Sequence, residues 1–227
     1  ATALGGAWLP AIAPSRVRET RTRSFPKEMD RADIDRVIAD FAAAARRCQE
    51  AGLDGVETLT GGHLIGQFLS PRTNHRTDGF GGSPANRARF ALMVHEAIRR
   101  AVGDDFVVGI RYVVDEGGTD GLNADEALEI AQMVQAEGHI DLFDCIYGRM
   151  DSDLLLTEDN MPGMFQPSAP YLAQVKAFRQ AVSLPVLHAG GIRDVATARH
   201  VLRDGIADLV GMTRAHIADP HLVAKIA

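Results

Sequence analysis

The sequence predicts an α/β fold built on a parallel sheet, and three features of the chain support this prediction. Apolar runs of strand length alternate with helical patterns through five βα units. The runs lack polar residues at every second position, so we expect both faces of the sheet to be covered. Two kinds of helix-to-strand junction alternate along the chain, at 50–54 and 101–103 for example, which favours a barrel of paired units. A doubly wound sheet stays open as the alternative.

The predicted elements are separated by start and stop signals. Residues 1–32 read as an irregular lead-in interrupted by prolines. A helix then begins at the N-cap Asp30 and stops before Gly52, and a second begins at Ser83, with Pro84 in its first turn. The predicted strands are 55–59, 106–111, 142–146, 185–188 and 208–212. The later predicted helices are 123–137, 169–182, 194–204 and one near the end.

Composition excludes several classes of protein. The chain has 24 basic and 30 acidic side chains, and a net charge of −6 argues against a nucleic-acid surface. Its only cysteines, Cys48 and Cys145, are too few for a disulfide framework or a Cys-rich metal site and are expected to be buried thiols. No apolar run approaches the roughly 20 residues of a membrane helix. We therefore expect a cytoplasmic protein with a small-molecule substrate, no nucleic-acid or membrane partner and no metal, and the sequence is compatible with a homo-oligomer.

Glycine-rich turns follow the last two predicted strands. Gly190 and Gly191 come directly after one strand, and Gly211 with Arg214 follows the other. Paired glycines let backbone N–H groups approach an anion, and barrels commonly bind phosphate after their last two strands. A simple turn is the alternative for each glycine taken alone. The two turns together favour a ligand that carries a phosphate.

Three further side chains at strand ends are candidates for chemistry. Arg111 ends the second strand, and a buried guanidinium needs a partner. That partner is either Asp115 or Glu116 in an ion pair, or an electron-accepting ring whose anionic reduced state Arg111 would stabilise. His63 follows the first strand and could serve as a general acid, base or hydrogen-bond donor, or be structural. Tyr147, after the third strand, is equally open.

One long motif identifies a family. Residues 67–90 read QFLSPRTNHRTDGFGGSPANRARF, which resembles the signature of the old yellow enzyme superfamily of FMN-dependent oxidoreductases. The segment 211–221, GMTRAHIADPH, is most similar to its amine-oxidising branch, which includes trimethylamine dehydrogenase and the demethylases of dimethylglycine and N-methylproline. The resemblance implies FMN as cofactor, with Arg111 at the pyrimidine edge of the flavin. The residues that it implies for the FMN phosphate are Gly190, Gly191, Gly211 and Arg214.

The same resemblance implies an incomplete (β/α)8 TIM barrel. The five strands correspond to strands four to eight, strands one to three have no counterpart in this chain, and residues 33–227 would form the C-terminal five-eighths of the barrel. Larger members of the family carry an iron–sulfur cluster beyond the barrel. We therefore expect such a cluster only in a full-length protein and not in this chain.

The implied activity is oxidative demethylation of a small N-methylated amine of the N-methylproline or dimethylglycine type, with His63 and Tyr147 orienting the substrate. Ene-reductases of the family carry a His and a second His or Asn after this strand, where the chain has Leu59 and Gly62. That departure disfavours a simple NAD(P)H-dependent ene-reductase but leaves a 2,4-dienoyl-CoA reductase-like enzyme as an alternative. A phosphate-ligand-binding module without catalysis is the third reading.

Overall fold

The computed structural model describes residues 11–20 and 23–226, and a parallel sheet organises them. Two short strands in the lead-in, β1 (Ile12–Ala13) and β2 (Lys27–Glu28), pair in parallel with each other. The main sheet has five parallel strands in chain order: β3 (Gly55–Leu59), β4 (Val107–Val113), β5 (Leu142–Ile146), β6 (Val186–His188) and β7 (Leu209–Val210).

This strand order confirms the predicted fold class. A doubly wound sheet reverses its strand order at a switch point, whereas each strand here pairs with its neighbour in sequence, as in an arc of a (β/α) barrel. β7 is shorter than predicted because Met212 already serves as the N-cap of the following helix.

The helices begin and end close to their predicted signals. Asp30 forms a capping box with Asp33, and Ser83 and Asn123 each accept a hydrogen bond from the third residue of their helix. The helix predicted from 169 begins later, because Ala169 has a φ of +47°, which no right-handed helix continues. The helices are α1 (Arg31–Glu50), α2 (Leu64–Leu69), α3 (Pro84–Val102), α4 (Ala124–Ala136), α5 (Asp153–Leu155), a π-helical turn (Leu156–Asn160), α6 (Leu172–Ala181), α7 (Val195–Arg203), α8 (Thr213–Ala218) and α9 (Leu222–Ile226).

The two faces of the main sheet have different roles. On the helix side, Tyr112, Phe143 and Phe178 pack edge to face or tilted, and the Tyr112 hydroxyl donates to a carbonyl oxygen of α4 at 2.6 Å. Successive side chains of a strand point to opposite faces. The neighbours Arg111 and Asp144 therefore lie on the other face, which in a closed barrel would be its interior.

The family signature segment is scaffold. The amide of Asn74 donates to the carbonyl oxygens of Phe68 and Phe80, at 2.7 Å in both cases. Arg76 forms an ion pair with Asp78 at 2.6 Å. These bonds fix the loop between α2 and α3, so the polar residues of this motif hold the backbone in place.

A glycine in α2 fixes the chain segment that follows β3. A Cβ atom at Gly66 would lie only 1.6 Å from the carbonyl oxygen of Thr60. We expect Gly66→Ala to destabilise the protein by roughly 3 kcal/mol, because the helix must move away from the backbone of that segment. Thermal unfolding measures this loss. Gly163→Ala is the matched control, since a Cβ there would meet nothing within 4 Å, and an equal loss in both variants would contradict the steric argument.

Two further predictions concern cysteines and membranes. Both cysteines are free thiols, but only Cys145 is buried as expected. Cys48 is half-buried, because it lies in the last turn of α1 at the edge of the core. Over residues 11–20 and 23–226, no helix has the length and apolar character needed to cross a bilayer.

Candidate functional site

The candidate site lies at one edge of the main sheet. Because all five strands are parallel, their carboxyl ends meet at this edge, and every site residue predicted from the sequence ends or follows one of these strands. The structure distributes them over three places: an ion pair on the interior face, a pair of glycine turns after β6 and β7, and a cavity beside the end of β3.

Arg111 is held on the interior face by Asp144. The guanidinium Nη1 lies 2.7 Å from Asp144 Oδ2, and the side chains are 33% and 3% exposed respectively. The two residues are register partners on β4 and β5. The expectation of an ion pair with Asp115 or Glu116 is therefore wrong, because both follow the end of β4 and accept other hydrogen bonds there.

A second carboxyl group adjoins this ion pair. Glu57 on β3 interacts electrostatically with both Asp144 and Arg111. Burial raises the pKa of Asp144 to about 7, an effect that Arg111 opposes and Glu57 reinforces. Burial also raises the pKa of Glu57. Sequence reasoning missed both acids, since neither lies at a strand end and only the sheet register brings them to Arg111.

The glycine turns after β6 and β7 leave no room for side chains. A Cβ at Gly190 would lie 2.6 Å from the ring of His188, and one at Gly211 would lie 2.6 Å from the Cβ of Ala189. Gly191 has a φ of +69°, which favours glycine. Among the residues that the structure describes, no acceptor takes a hydrogen bond from the amide of Gly190 or Gly191. These amides can therefore bind an anion.

Two arginines lie beside these turns. Arg214 Nη2 donates to the carbonyl oxygen of Pro162 at 3.0 Å, and a Cβ at Gly191 would lie 3.1 Å from the ring of the same proline. Arg193 donates to the carbonyl oxygens of Gly163 and Met164. Neither arginine pairs with a carboxylate in the described part of the chain. Arg214 and Gly191 thus share Pro162 as a neighbour, and Arg193, which the sequence analysis did not single out, bonds the two residues that follow this proline.

His63 lines a cavity of about 770 Å³ between the lead-in and the strand ends. It is the N-cap residue of α2, but its side chain makes no capping hydrogen bond and stays available. Desolvation lowers the pKa of His63, so its imidazole is neutral at pH 7. The amide nitrogen of Gln67 donates to Gly62, while its buried Oε1 finds no partner within the described ranges.

Further polar side chains that the sequence analysis did not assign to the site also line this cavity. Glu116 accepts hydrogen bonds from the Ser70 hydroxyl at 2.6 Å and the Leu122 amide at 2.7 Å, and burial raises its pKa. Arg149 pairs with Asp120 at 2.9 Å. Arg149 could have been identified as a candidate from the sequence, because it lies two residues after Tyr147, beyond the end of β5, where barrels bind their ligands.

Tyr147 lies in a different environment from His63. Its ring stacks on Tyr171, with centroids 4.2 Å apart and planes at 19°. Burial first, and then the carboxylates of Asp115 and Asp159, raise the pKa of Tyr147. Tyr147 is not among the residues that line the cavity of His63. The structure therefore does not bring the two predicted substrate-orienting residues into one cavity.

Comparison with known proteins gives a consistent family. Residues 5–227 match the NADH:flavin oxidoreductase / NADH oxidase family. The chain is 56% identical over 219 residues to the "Multifunctional alkene reductase/demethylase OYE" of Caballeronia cordobensis, a match covering 96% of the chain and 32% of that protein. It is 48% identical over 221 residues to the "Probable N-methylproline demethylase" of Rhizobium meliloti (strain 1021), covering 97% of the chain and 32% of the relative.

A solved structure supports the same fold. The chain superposes on 2-naphthoyl-CoA reductase in complex with 2-naphthoyl-CoA with a TM-score of 0.87 at 31% identity, covering 95% of this chain and 32% of that one. The chain thus spans about a third of the length of the relatives that it matches.

Proposed function

The chain belongs to the NADH:flavin oxidoreductase / NADH oxidase family, and we propose that it forms part of an FMN-dependent enzyme that oxidatively demethylates a small N-methylated amine. Substrates of the N-methylproline or dimethylglycine type fit this proposal. It is supported by two relatives at 48% and 56% identity whose names include demethylase.

The residues at the strand ends fit FMN. The free amides of Gly190 and Gly191 and the guanidinium of Arg214 offer donors for a phosphate, and a side chain at Gly211 would crowd the same turn. Arg111 presents a fixed positive charge on the interior face, where it would meet the pyrimidine edge of the ring. When bound, FMN would supply the acceptor for a hydride from the N-methyl carbon, and water would hydrolyse the resulting substrate iminium to formaldehyde and the secondary amine.

The residues at the end of β3 favour demethylation over alkene reduction. An ene-reductase of the resembling type uses two donors there to hold the activating carbonyl of its substrate. This chain has Leu59 and Gly62 instead, so His63 is the single imidazole donor that this strand end supplies. The stacked tyrosines with Asp115 and Asp159 offer negative charge and aromatic faces, which suit a protonated amine.

A reductive half-reaction tests the proposed substrate. Anaerobic mixing of the full-length holoenzyme with N-methylproline or with dimethylglycine should bleach the oxidised flavin absorption and release one formaldehyde per flavin reduced. Proline and glycine, which lack the N-methyl group, are the controls. A flavin that stays oxidised with both methylated amines would refute the substrate class while leaving FMN binding intact.

His63 should affect the pH dependence of this half-reaction. Its lowered pKa means that the imidazole accepts a hydrogen bond throughout the range above pH 6.5 and loses this ability as it protonates at lower pH. We expect His63→Gln to lower kcat/KM by about tenfold and to remove one ionisation below pH 6.5 from the profile. Gln67→Ala, in the next turn of α2, is the control that should keep this ionisation. If the acidic limb of the kcat/KM profile is unchanged in His63→Gln, His63 does not accept this hydrogen bond during the reaction.

Alkene reduction is the second candidate. It is supported by the words "alkene reductase" in the name of one relative and by the fold match to a 2-naphthoyl-CoA reductase. Rapid reduction of the flavin by NADPH, followed by reoxidation with an enone or a dienoyl-CoA, would select this activity. Failure of both NADH and NADPH to reduce the flavin would exclude it.

A further inference from the structure

We propose that Glu57 and Asp144 share a single proton and that this carboxyl pair is a positioning device for Arg111. The proposal rests on the flavin role proposed above for Arg111. Neither acid is expected to touch the substrate, so both act through the guanidinium.

The hydrogen bonds of Asp144 leave one oxygen without a donor. Its Oδ2 accepts from Arg111 at 2.7 Å, but its buried Oδ1 has no donor among the described residues. A carboxylate oxygen buried without a donor is costly. The neighbouring group is the carboxyl of Glu57, and two ionised carboxylates cannot bond each other. A proton between the two groups supplies the missing hydrogen bond.

The sheet is built so that these two acids can meet. Glu57 and Asp144 lie on β3 and β5, and β4 lies between them. Opposite Glu57 in the register is Gly109, where an added Cβ would lie 3.7 Å from the Cβ and Cγ of Glu57. The stem of Glu57 therefore passes over a residue that has no side chain.

The charges around the pair favour one shared proton. The cation beside the pair is Arg111 from β4. His188 from β6 interacts electrostatically with Arg111, and burial lowers the pKa of His188 below the usual value of an imidazole. With one proton shared, the pair and Arg111 sum to zero charge. Loss of that proton leaves a net charge of −1 on a largely buried cluster, which is unfavourable. The proton is thus retained at pH values where ordinary carboxyl groups, with pKa values of about 4, are ionised.

The shared proton should also affect the reduction potential of the flavin. With the proton bound, Arg111 faces the ring with its charge balanced by a single carboxylate. Without it, a second negative charge opposes the anionic reduced flavin. We therefore expect the midpoint potential of the flavin to fall more steeply as pH rises through the ionisation of the pair.

Infrared spectroscopy of the full-length holoenzyme tests the proton directly. At pH 6 we expect a protonated-carboxyl C=O band that shifts in D₂O and disappears at high pH. Glu57→Gln and Asp144→Asn should both abolish the band, because each amide donates the bond that the proton would have made. Both variants should also lose the additional pH dependence of the midpoint potential.

Asp144→Leu separates positioning from simple packing. It removes the acceptor of Arg111 without adding a donor, and we expect FMN affinity to fall about tenfold or more. Absence of the band in the unaltered protein at pH 6, or its persistence in both amide variants, would overturn the proposal. None of these measurements uses an amine substrate, so their outcome is independent of the demethylase activity.

Discussion

Replacing Arg111 by Met is expected to slow the reduction of the flavin by the proposed amine substrate by about 10²–10³-fold, the usual cost of removing one preorganised charged donor from a developing anion. Arg111 is suited to this role because its guanidinium is fixed by an almost fully buried acid, Asp144, at 2.7 Å. A charge held in place before the reaction costs no reorganisation when negative charge develops on the ring. Stopped-flow measurement of flavin bleaching gives this rate.

Two controls sharpen this experiment. Arg111→Lys keeps the charge but not the planar fork of donors, so it should recover only part of the rate. Loss of Arg111 removes the cation that lowers the pKa of Asp144, so the acid should become protonated to higher pH in Arg111→Met. Full activity in Arg111→Met would exclude the flavin role, whereas an unfolded variant would be recognised by its circular dichroism spectrum.

Replacing Arg214 by Ala is expected to weaken FMN binding by roughly 10- to 100-fold, which corresponds to one charge-assisted hydrogen bond to a phosphate. Its guanidinium bonds a backbone carbonyl and no carboxylate within the described residues, so an incoming phosphate would not have to displace an acid. Titration of the apoprotein with FMN, followed by flavin fluorescence, measures the dissociation constant.

Arg203→Ala is the matched control for charge. Arg203 is exposed at the end of α7 and pairs with Asp204. It should leave FMN affinity within about twofold, because an exposed charge far from the ligand is screened. Riboflavin, which lacks the phosphate, should bind Arg214→Ala and the unaltered protein equally well. Equal losses of FMN affinity in both arginine variants would contradict a phosphate contact at Arg214.

Local features of the sequence determined the elements and their order. The caps at Asp30, Ser83 and Asn123 could be predicted because a side chain and an amide three residues later lie in one turn of chain. The alternation of strands and helices also predicted the parallel sheet. A helix between two strands returns the chain to the edge where the first strand began, so the next strand runs in the same direction. The glycine turns after β6 and β7 belong to the same class of local signal.

The tertiary structure alone decided how the site residues are paired. Arg111 faces Asp144 and not Asp115, because the partner is chosen by strand register and not by distance along the chain. The interaction of Glu57 with Asp144 depends on three strands at once, because the two acids lie on β3 and β5 with β4 between them. His63 and Tyr147 follow different strands, and their separate environments depend on how loops pack beyond the sheet. Such contacts join residues far apart in sequence, so no local pattern encodes them.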